Sequence, residues 1–104
     1  MKVIIAGGRD FDNYALLKER VDIILSRSEV KLIIAGGAKG ADALAIDYAR
    51  EKGYTYLIEK ADWDRFGKRA GFVRNENMAK LATHLIAFWD GKSPGTKHTI
   101  DTAR

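Results

Sequence analysis

The sequence predicts an α/β fold in which helices cover both sides of an open parallel sheet of about four strands. Four short apolar runs carry this prediction, because they lack the alternation of strands that bury one face only, and continuous apolar strands are typical of parallel sheets. Amphipathic helical segments separate the runs, so strands and helices alternate along the chain. The apolar runs are Val3–Ala6, Leu32–Ala35, Tyr56–Ile58 and Leu85–Trp89.

The first helix is predicted over Asn13–Ser28, with Asp12 as its N-cap. Its apolar residues recur at i, i+4, i+7 and i+8, which places them on one face of a helix. These residues are Leu17, Val21, Ile24 and Leu25.

Three further helices are predicted after the later strands. The second is Ala41–Lys52, and Gly53 is expected to end it. The third is Lys68–Ala82, and the fourth is Thr96–Arg104. The buried face of the third helix is expected to carry Ala70, Val73, Asn77 and Leu81.

Length and composition narrow the class of protein. The 104 residues predict a single domain over 1–104, and 46% hydrophobic and 31% charged residues are an ordinary globular balance. The absence of cysteine excludes disulfides and a thiol nucleophile, and only two histidines are present, so we expect no metal site and no resident cofactor. The net charge of +4 suits an anionic ligand without indicating nucleic acid by itself.

The sequence predicts neither a membrane protein nor a secreted one. No apolar run approaches the ~20 residues of a membrane-spanning helix, and the N-terminus lacks the pattern of a signal peptide. We therefore expect a cytoplasmic protein that makes no membrane contact.

Three glycine-rich loops follow predicted strands and precede predicted helices. Glycine lets the backbone approach a ligand closely, and a helix N-terminus offers N–H groups and the positive end of the helix dipole. Such loops also arise merely as tight turns, but three at one sheet edge favour a phosphate-bearing ligand. The loops are Gly7–Phe11, Gly36–Asp42 and Asp90–Thr96.

None of these loops matches a standard nucleotide fingerprint. The segment Gly36–Gly40 departs from G-x-G-x-x-G, so a standard dinucleotide site is not supported. Gly91-Lys92-Ser93 resembles the end of a Walker A loop, but Ile86 stands where that loop requires glycine. ATP hydrolysis by a P-loop mechanism is therefore not expected.

The segment Ala61–Met78 brings cations, aromatic residues and amides together. Arg69 and Arg74 carry guanidinium groups that suit phosphate, and Trp63 suits stacking on a base. The alternative is a solvated cationic helix face, which we favour for Arg65 and Lys68.

Several motifs in order resemble the YspA-like branch of the SLOG superfamily, which includes the Lonely Guy phosphoribohydrolases and the Rossmann-like domain of the DNA-processing protein A. The resemblance covers nearly the whole chain. Its motifs are Gly7-Gly8-Arg9-Asp10-Phe11, Gly36-Gly37-Ala38-x-Gly40-Ala41-Asp42, Ala61-Asp62-Trp63, Gly67-Lys68-Arg69-Ala70-Gly71, Arg74-Asn75-x-x-Met78 and Gly95-Thr96.

The resemblance implies a Rossmann-like three-layer domain that binds nucleotides or nucleotide-derived ligands. Family members have one more strand after the last helix, and we expect that strand to be missing here. The Lonely Guy enzymes cleave the N-glycosidic bond of a nucleoside monophosphate, and Arg74 matches their signature arginine. Their signature glutamate falls on Thr99, which has no carboxylate.

Three functions follow as hypotheses. The first is a module that senses, carries or sequesters a nucleotide-derived small molecule. The second is a nucleotide N-glycosidase, whose carboxylate would come from Asp10, Asp42 or Asp90, since glycosidic cleavage generally needs one. The third, single-stranded nucleic-acid binding, ranks last because the basic residues are scattered. A homo-oligomer is also expected.

We predict that the ligand contacts come from the three loops and the Ala61–Met78 segment. The residues are Gly7, Gly8, Arg9, Phe11, Gly36, Gly37, Ala38, Gly40, Asp42, Trp63, Arg69, Arg74, Asn75, Gly91, Ser93, Gly95 and Thr96.

Overall fold

Strands and helices alternate along the chain as the sequence predicts. The computed structural model describes residues 1–89, 91 and 94–103. A short 3₁₀ segment, Gly67–Arg69, joins the third helix to the fourth. The elements are β1 (Lys2–Gly7), α1 (Tyr14–Leu25), β2 (Leu32–Ala35), α2 (Ala41–Lys52), β3 (Tyr56–Ile58), α3 (Trp63–Phe66), α4 (Ala70–Leu81), β4 (His84–Phe88) and α5 (Pro94–Ala103).

The four strands of the described chain form one parallel sheet in the order β3-β2-β1-β4. Val3 of β1 lies beside Ile33 of β2 and His84 of β4. The chain first adds β2 and β3 on one side of β1 and then returns to place β4 on the other side. The strand order therefore reverses at the carboxyl ends of β1 and β4, where open α/β sheets form their ligand crevice.

Both faces of the sheet are buried, as the continuous apolar runs predict. Val3 and Ile5 of β1 pack with α1 and α2 on one face, and neither side chain is exposed. Ile4 and Ala6 point to the other face and pack with Met78 of α4. Helix α5 lies against α4 and β4 on that second side. The result is the three-layer α/β sandwich that was predicted.

Helix α1 is shorter than predicted and has a different cap. Asn13, not Asp12, is the N-cap, because its Oδ1 accepts the N–H of Leu16 at 3.0 Å. The helix ends at Leu25, three residues early. Ile24 is exposed, since it lies about 100° round the helix from Leu25, outside the buried stripe.

Helix α4 begins at Ala70, because residues predicted for its first turn form the 3₁₀ segment. Its buried side chains are those of Ala70, Asn75 and Met78, whereas Asn77 and Leu81 are exposed. The prediction was right for Ala70, but it missed Asn75 and Met78, because a buried amide has no place in an apolar spacing pattern.

Helix α5 begins at Pro94, two residues before the predicted start. Strand β4 runs from His84 to Phe88, so Trp89 follows the strand instead of ending it. No helix of the described residues combines the length and apolar character needed to cross a bilayer.

Candidate functional site

A cleft of about 1080 Å³ opens at the carboxyl ends of β1 and β4, where the strand order reverses. Small-molecule sites typically measure roughly 300–1000 Å³, so the cleft is large enough for a nucleotide. The loop after β1 forms one side, and the first turn of α5 forms the other. Its lining residues are Ala6, Gly7, Gly8, Arg9, Asp10, Phe11, Ala38, Asp42, Arg74, Asn75, Met78, Ala87, Phe88, Trp89, Pro94, Gly95, Thr96 and Thr99.

One wall of the cleft is aromatic. The rings of Phe11 and Phe88 lie 5.0 Å apart between centroids and are tilted by 39°. Trp89 follows Phe88 directly and is 41% exposed. Aromatic faces of this kind suit a planar, partly apolar group such as a nucleobase.

One hydrogen bond joins the loop after β1 to the start of α2, and a second one lies within the loop itself. The carbonyl oxygen of Gly8 accepts the N–H groups of Phe11 and Ala41, each at 3.2 Å. Gly40 passes directly beneath this carbonyl with φ of +75°, a conformation that side chains disfavour. Gly40 therefore serves to bring two loops together and does not line the cleft.

Arg74 of α4 crosses from its helix to the loop after β2. Its Nη1 donates to the carbonyl oxygen of Gly36, and its Nε donates to Oδ1 of Asn75 at 2.9 Å. A side chain at Gly36 would collide with this guanidinium, since a Cβ there would lie 2.5 Å from Nη1. Burial lowers the pKa of Arg74, and the nearby positive charge of Arg9 lowers it further, while Asp42 acts in the opposite direction.

Asp42 is the buried carboxylate of the cleft, with 8% of its surface exposed. Its Oδ2 accepts the N–H of Ala38 at 3.1 Å. Burial raises the pKa of Asp42, and the Ala38 N–H and the charges of Arg74 and Arg9 offset part of that rise. Asp42 thus braces the loop after β2 and supplies a negative charge beside Arg74.

Replacing Asp42 with Asn tests the elevated pKa through stability. Because the folded pKa lies above the unfolded value of about 3.9, the folded state binds more protons between these two values. The wild-type protein should therefore lose stability relative to Asp42→Asn as the pH rises through this window, by about 1.4 kcal/mol for each unit of elevation. Urea unfolding of both proteins at pH 3.5 and pH 7 measures the change, and a difference independent of pH would contradict it.

The loop after β2 offers a ligand fewer donors than the sequence predicts. The N–H of Ala38 donates to Asp42, and the first N–H of α2, that of Ala41, donates to Gly8. The carbonyl of Gly36 faces Arg74. The positive potential of the cleft therefore comes mainly from Arg9, Arg74 and the first turn of α5, where the helix dipole is positive.

Asn75 links Arg74 to α5. Since a guanidinium only donates, the amide must turn Oδ1 toward Arg74 and Nδ2 toward α5. Nδ2 then donates to the carbonyl oxygen of Gly95 at 3.3 Å and faces Nδ1 of His98 at 3.2 Å. With 3% of its surface exposed, Asn75 holds the guanidinium and the first turn of α5 in one fixed arrangement.

This arrangement predicts opposite tautomers for the two histidines. His98 must accept at Nδ1 from Asn75, so its proton belongs on Nε2, which lies 3.4 Å from the hydroxyl of Thr102. His84 must instead donate from Nδ1, 2.8 Å from the Thr83 hydroxyl, whose own proton goes to the carbonyl of Lys2. Long-range ¹H–¹⁵N correlation spectra at pH 8 measure both tautomers, with each histidine as the other's control. A proton on Nδ1 of His98 would overturn the assigned amide orientation.

A second pocket of about 420 Å³ adjoins the cleft and shares Arg9, Ala38 and Arg74 with it. Trp63, which is 54% exposed, forms part of its wall. The remaining lining residues are Gly36, Gly37, Lys39, Lys60 and Ala61.

The two pockets gather most of the predicted site residues. Among the predicted site residues that the structure describes, Gly40, Arg69 and Gly91 line neither pocket. The predicted Asp90 and Ser93 lie outside the described residues. The residues from the predicted set that line one or both pockets are Gly7, Gly8, Arg9, Asp10, Phe11, Gly36, Gly37, Ala38, Asp42, Trp63, Arg74, Asn75, Gly95 and Thr96.

Sequence reasoning missed several site residues, including Phe88 and Trp89 of the aromatic wall. His98 and Thr99 stand three and four positions after Gly95, a spacing that places all three on one helix face. The Thr99 hydroxyl donates to the carbonyl of Gly95 at 3.1 Å. Lys60 follows β3 and was missed because its loop has no glycine.

Comparison with known proteins identifies a family and a relative. The model of the YspA, cpYpsA-related SLOG family matches residues 1–66, which include the loops after β1 and β2. Gene 61 protein of Mycobacterium phage D29 is 34% identical over 110 residues, which cover 99% of this chain and 88% of the phage protein. No solved structure matches the chain with statistical significance.

Proposed function

The chain belongs to the YspA, cpYpsA-related SLOG family, and we propose that it binds a nucleotide or nucleotide-derived ligand in the cleft between β1 and β4. Family membership supports a nucleotide-related ligand-binding role in general. The observation that carries the specific proposal is the partly buried guanidinium of Arg74, held at the floor of a cleft with an aromatic wall. The chain then acts as a sensor, a carrier or a sequestering module.

The ligand's parts follow from the chemistry of the cleft. A phosphate lies between Arg9, Arg74 and the first turn of α5, where two guanidinium groups and a helix dipole favour negative charge. The base lies against the aromatic wall of Phe11 and Phe88. Asn75 makes no direct contact in this arrangement and holds Arg74 in place.

A ligand-retention experiment tests this proposal. The purified protein is incubated with nucleoside monophosphates, NAD, ADP-ribose and cyclic nucleotides, and bound and free species are then identified by mass spectrometry. An intact species retained by the wild-type chain and by Arg69→Ala, but lost from Arg74→Ala, supports binding in the cleft. Retention of nothing from the panel, or equal retention by all three proteins, would refute the proposal.

One observation favours turnover as a second candidate function. Asp42 is a buried carboxylate with a raised pKa that lines the cleft, and a carboxylate is what N-glycosidic cleavage needs. Asp10 also lines the cleft, while Thr99 stands at the position of the Lonely Guy glutamate. Free base and ribose phosphate in the unbound fraction, lost in Asp42→Asn, would establish an enzyme.

A further inference from the structure

The second pocket is strongly cationic. Four of its lining residues, Arg9, Lys39, Lys60 and Arg74, are basic, and none of the described residues that line it is acidic. Among the ion pairs of the described chain, none involves these four side chains. Four positive charges around one pocket favour a bound anion, although Asp42 and Glu59 offset part of the charge at Arg74.

The pocket is continuous with the cleft at the two arginines. Arg9 and Arg74 line both cavities, and each lowers the free energy of an anion placed at the junction. From the junction, the cleft leads to an aromatic wall, whereas the second pocket leads to Lys39 and Lys60. The two directions thus differ in chemistry: one suits a planar base, and the other suits further negative charge.

The volumes of the cleft and the second pocket agree with a nucleoside in the first and further phosphates in the second. The cleft of about 1080 Å³ has room for a nucleoside, and the second pocket, at about 420 Å³, has less than half that space. A single phosphate at the junction would be matched by Arg9 and Arg74 and would leave both lysines without an anion. A second phosphate linked to the first continues into the pocket that the lysines line.

We propose that the second pocket binds the phosphates that follow the first phosphate of the ligand, an inference that rests on the proposed function. The ligand is then a nucleoside diphosphate or a longer polyphosphate. The nucleoside occupies the cleft, the first phosphate lies at Arg9 and Arg74, and the next lies at Lys39 and Lys60. Trp63 forms part of the wall of this pocket. Charge-assisted contacts to the lysines make the diphosphate bind about tenfold more tightly than the monophosphate.

The positions of the tryptophans allow each pocket to be observed separately. The chain has two tryptophans, Trp89 in the cleft and Trp63 in the second pocket. Trp63→Phe leaves a fluorophore in the cleft, and Trp89→Phe leaves one in the second pocket. Adenosine and guanosine mono-, di- and triphosphates are titrated into both variants, and affinities are measured on the wild-type chain by calorimetry.

We expect monophosphates to change the fluorescence of Trp89 alone, and di- and triphosphates to change that of both tryptophans. The affinity ratio of diphosphate to monophosphate should fall about threefold in Lys60→Ala, because Lys39 keeps its own contact with the second phosphate. It should keep its wild-type value in Lys31→Ala, which removes an exposed lysine that lines neither pocket.

The outcomes separate this inference from the proposed function. Monophosphate binding with no preference for the diphosphate, or a preference that is unchanged in Lys60→Ala, overturns the inference and leaves the proposed function standing. Failure of every nucleotide to bind overturns both. A 5′-phosphorylated oligonucleotide that binds more tightly than every mononucleotide would assign the pocket to a nucleic-acid strand and overturn the inference as well.

Discussion

Arg74→Ala is expected to weaken nucleotide binding by about 3 kcal/mol, or roughly 100-fold in Kd. The guanidinium is partly buried, and its position is fixed by the Gly36 carbonyl and the Asn75 amide, so it makes its contacts with little loss of conformational freedom. Its removal also takes away one of the two positive charges that oppose the rise in the pKa of Asp42, and only Arg9 remains. The vacated site is therefore less positive and attracts phosphate less strongly.

The variant needs controls for charge and for folding. Arg69→Ala removes one positive charge from an exposed residue that lines neither pocket, and its affinity should stay within twofold of wild type. Arg74→Lys keeps the charge but loses the planar fork, so an intermediate affinity is expected. Thermal melts establish that each variant is folded at the temperature of the titration. Equal losses in Arg69→Ala and Arg74→Ala would mean that net charge, and not the cleft, governs binding.

The fold was predictable because its strands are buried on both faces. Residues such as Ile4 and Ile5 point in opposite directions yet are both fully buried, and only a sheet covered on both sides accommodates that pattern. Helix α2 was predicted with its observed bounds, because Gly53 ends it in the left-handed conformation. Helix α4 was predicted within two residues at each end, but its buried face was not, since a buried amide such as Asn75 carries no hydropathy signal.

The sequence predicted the site only in part. Loops that follow neighbouring parallel strands lie close together, and this much could be predicted. Glycine-rich loops at the ends of β1 and β4 do line one cleft, as parallel strands require. Sequence does not reveal which N–H groups the protein itself uses, and the bond from Ala38 to Asp42 depends on tertiary placement. For the same reason, the contact of His98 with Asn75 joins two helices whose packing no local pattern specifies.

Gly40→Ala is expected to cost about 3–5 kcal/mol of unfolding free energy, a large part of the 5–15 kcal/mol typical of a domain. Gly40 has φ of +75° and ψ of −129°, a backbone region that side chains essentially do not enter. A Cβ there would also collide with the carbonyl oxygens of Gly8 and Arg9, which are backbone atoms and cannot move aside cheaply. The loop after β1, with which this Cβ would collide, carries Arg9 into the cleft. Ligand affinity should therefore fall together with stability.

The variant Gly53→Ala separates the backbone strain of Gly40→Ala from its steric collision. Gly53 has the same φ of +75° with ψ of 21°, and a Cβ there would have no heavy atom within 4 Å among the described residues outside its own turn. Its substitution should therefore cost only the left-handed penalty of about 1 kcal/mol, with a Tm roughly 4–8 °C lower and unchanged affinity. For Gly40→Ala we expect a Tm lowered by roughly 15 °C or more. Similar losses of Tm in both variants would show that backbone conformation alone sets the cost, and that the contact between the first two loops contributes little to the stability of the cleft.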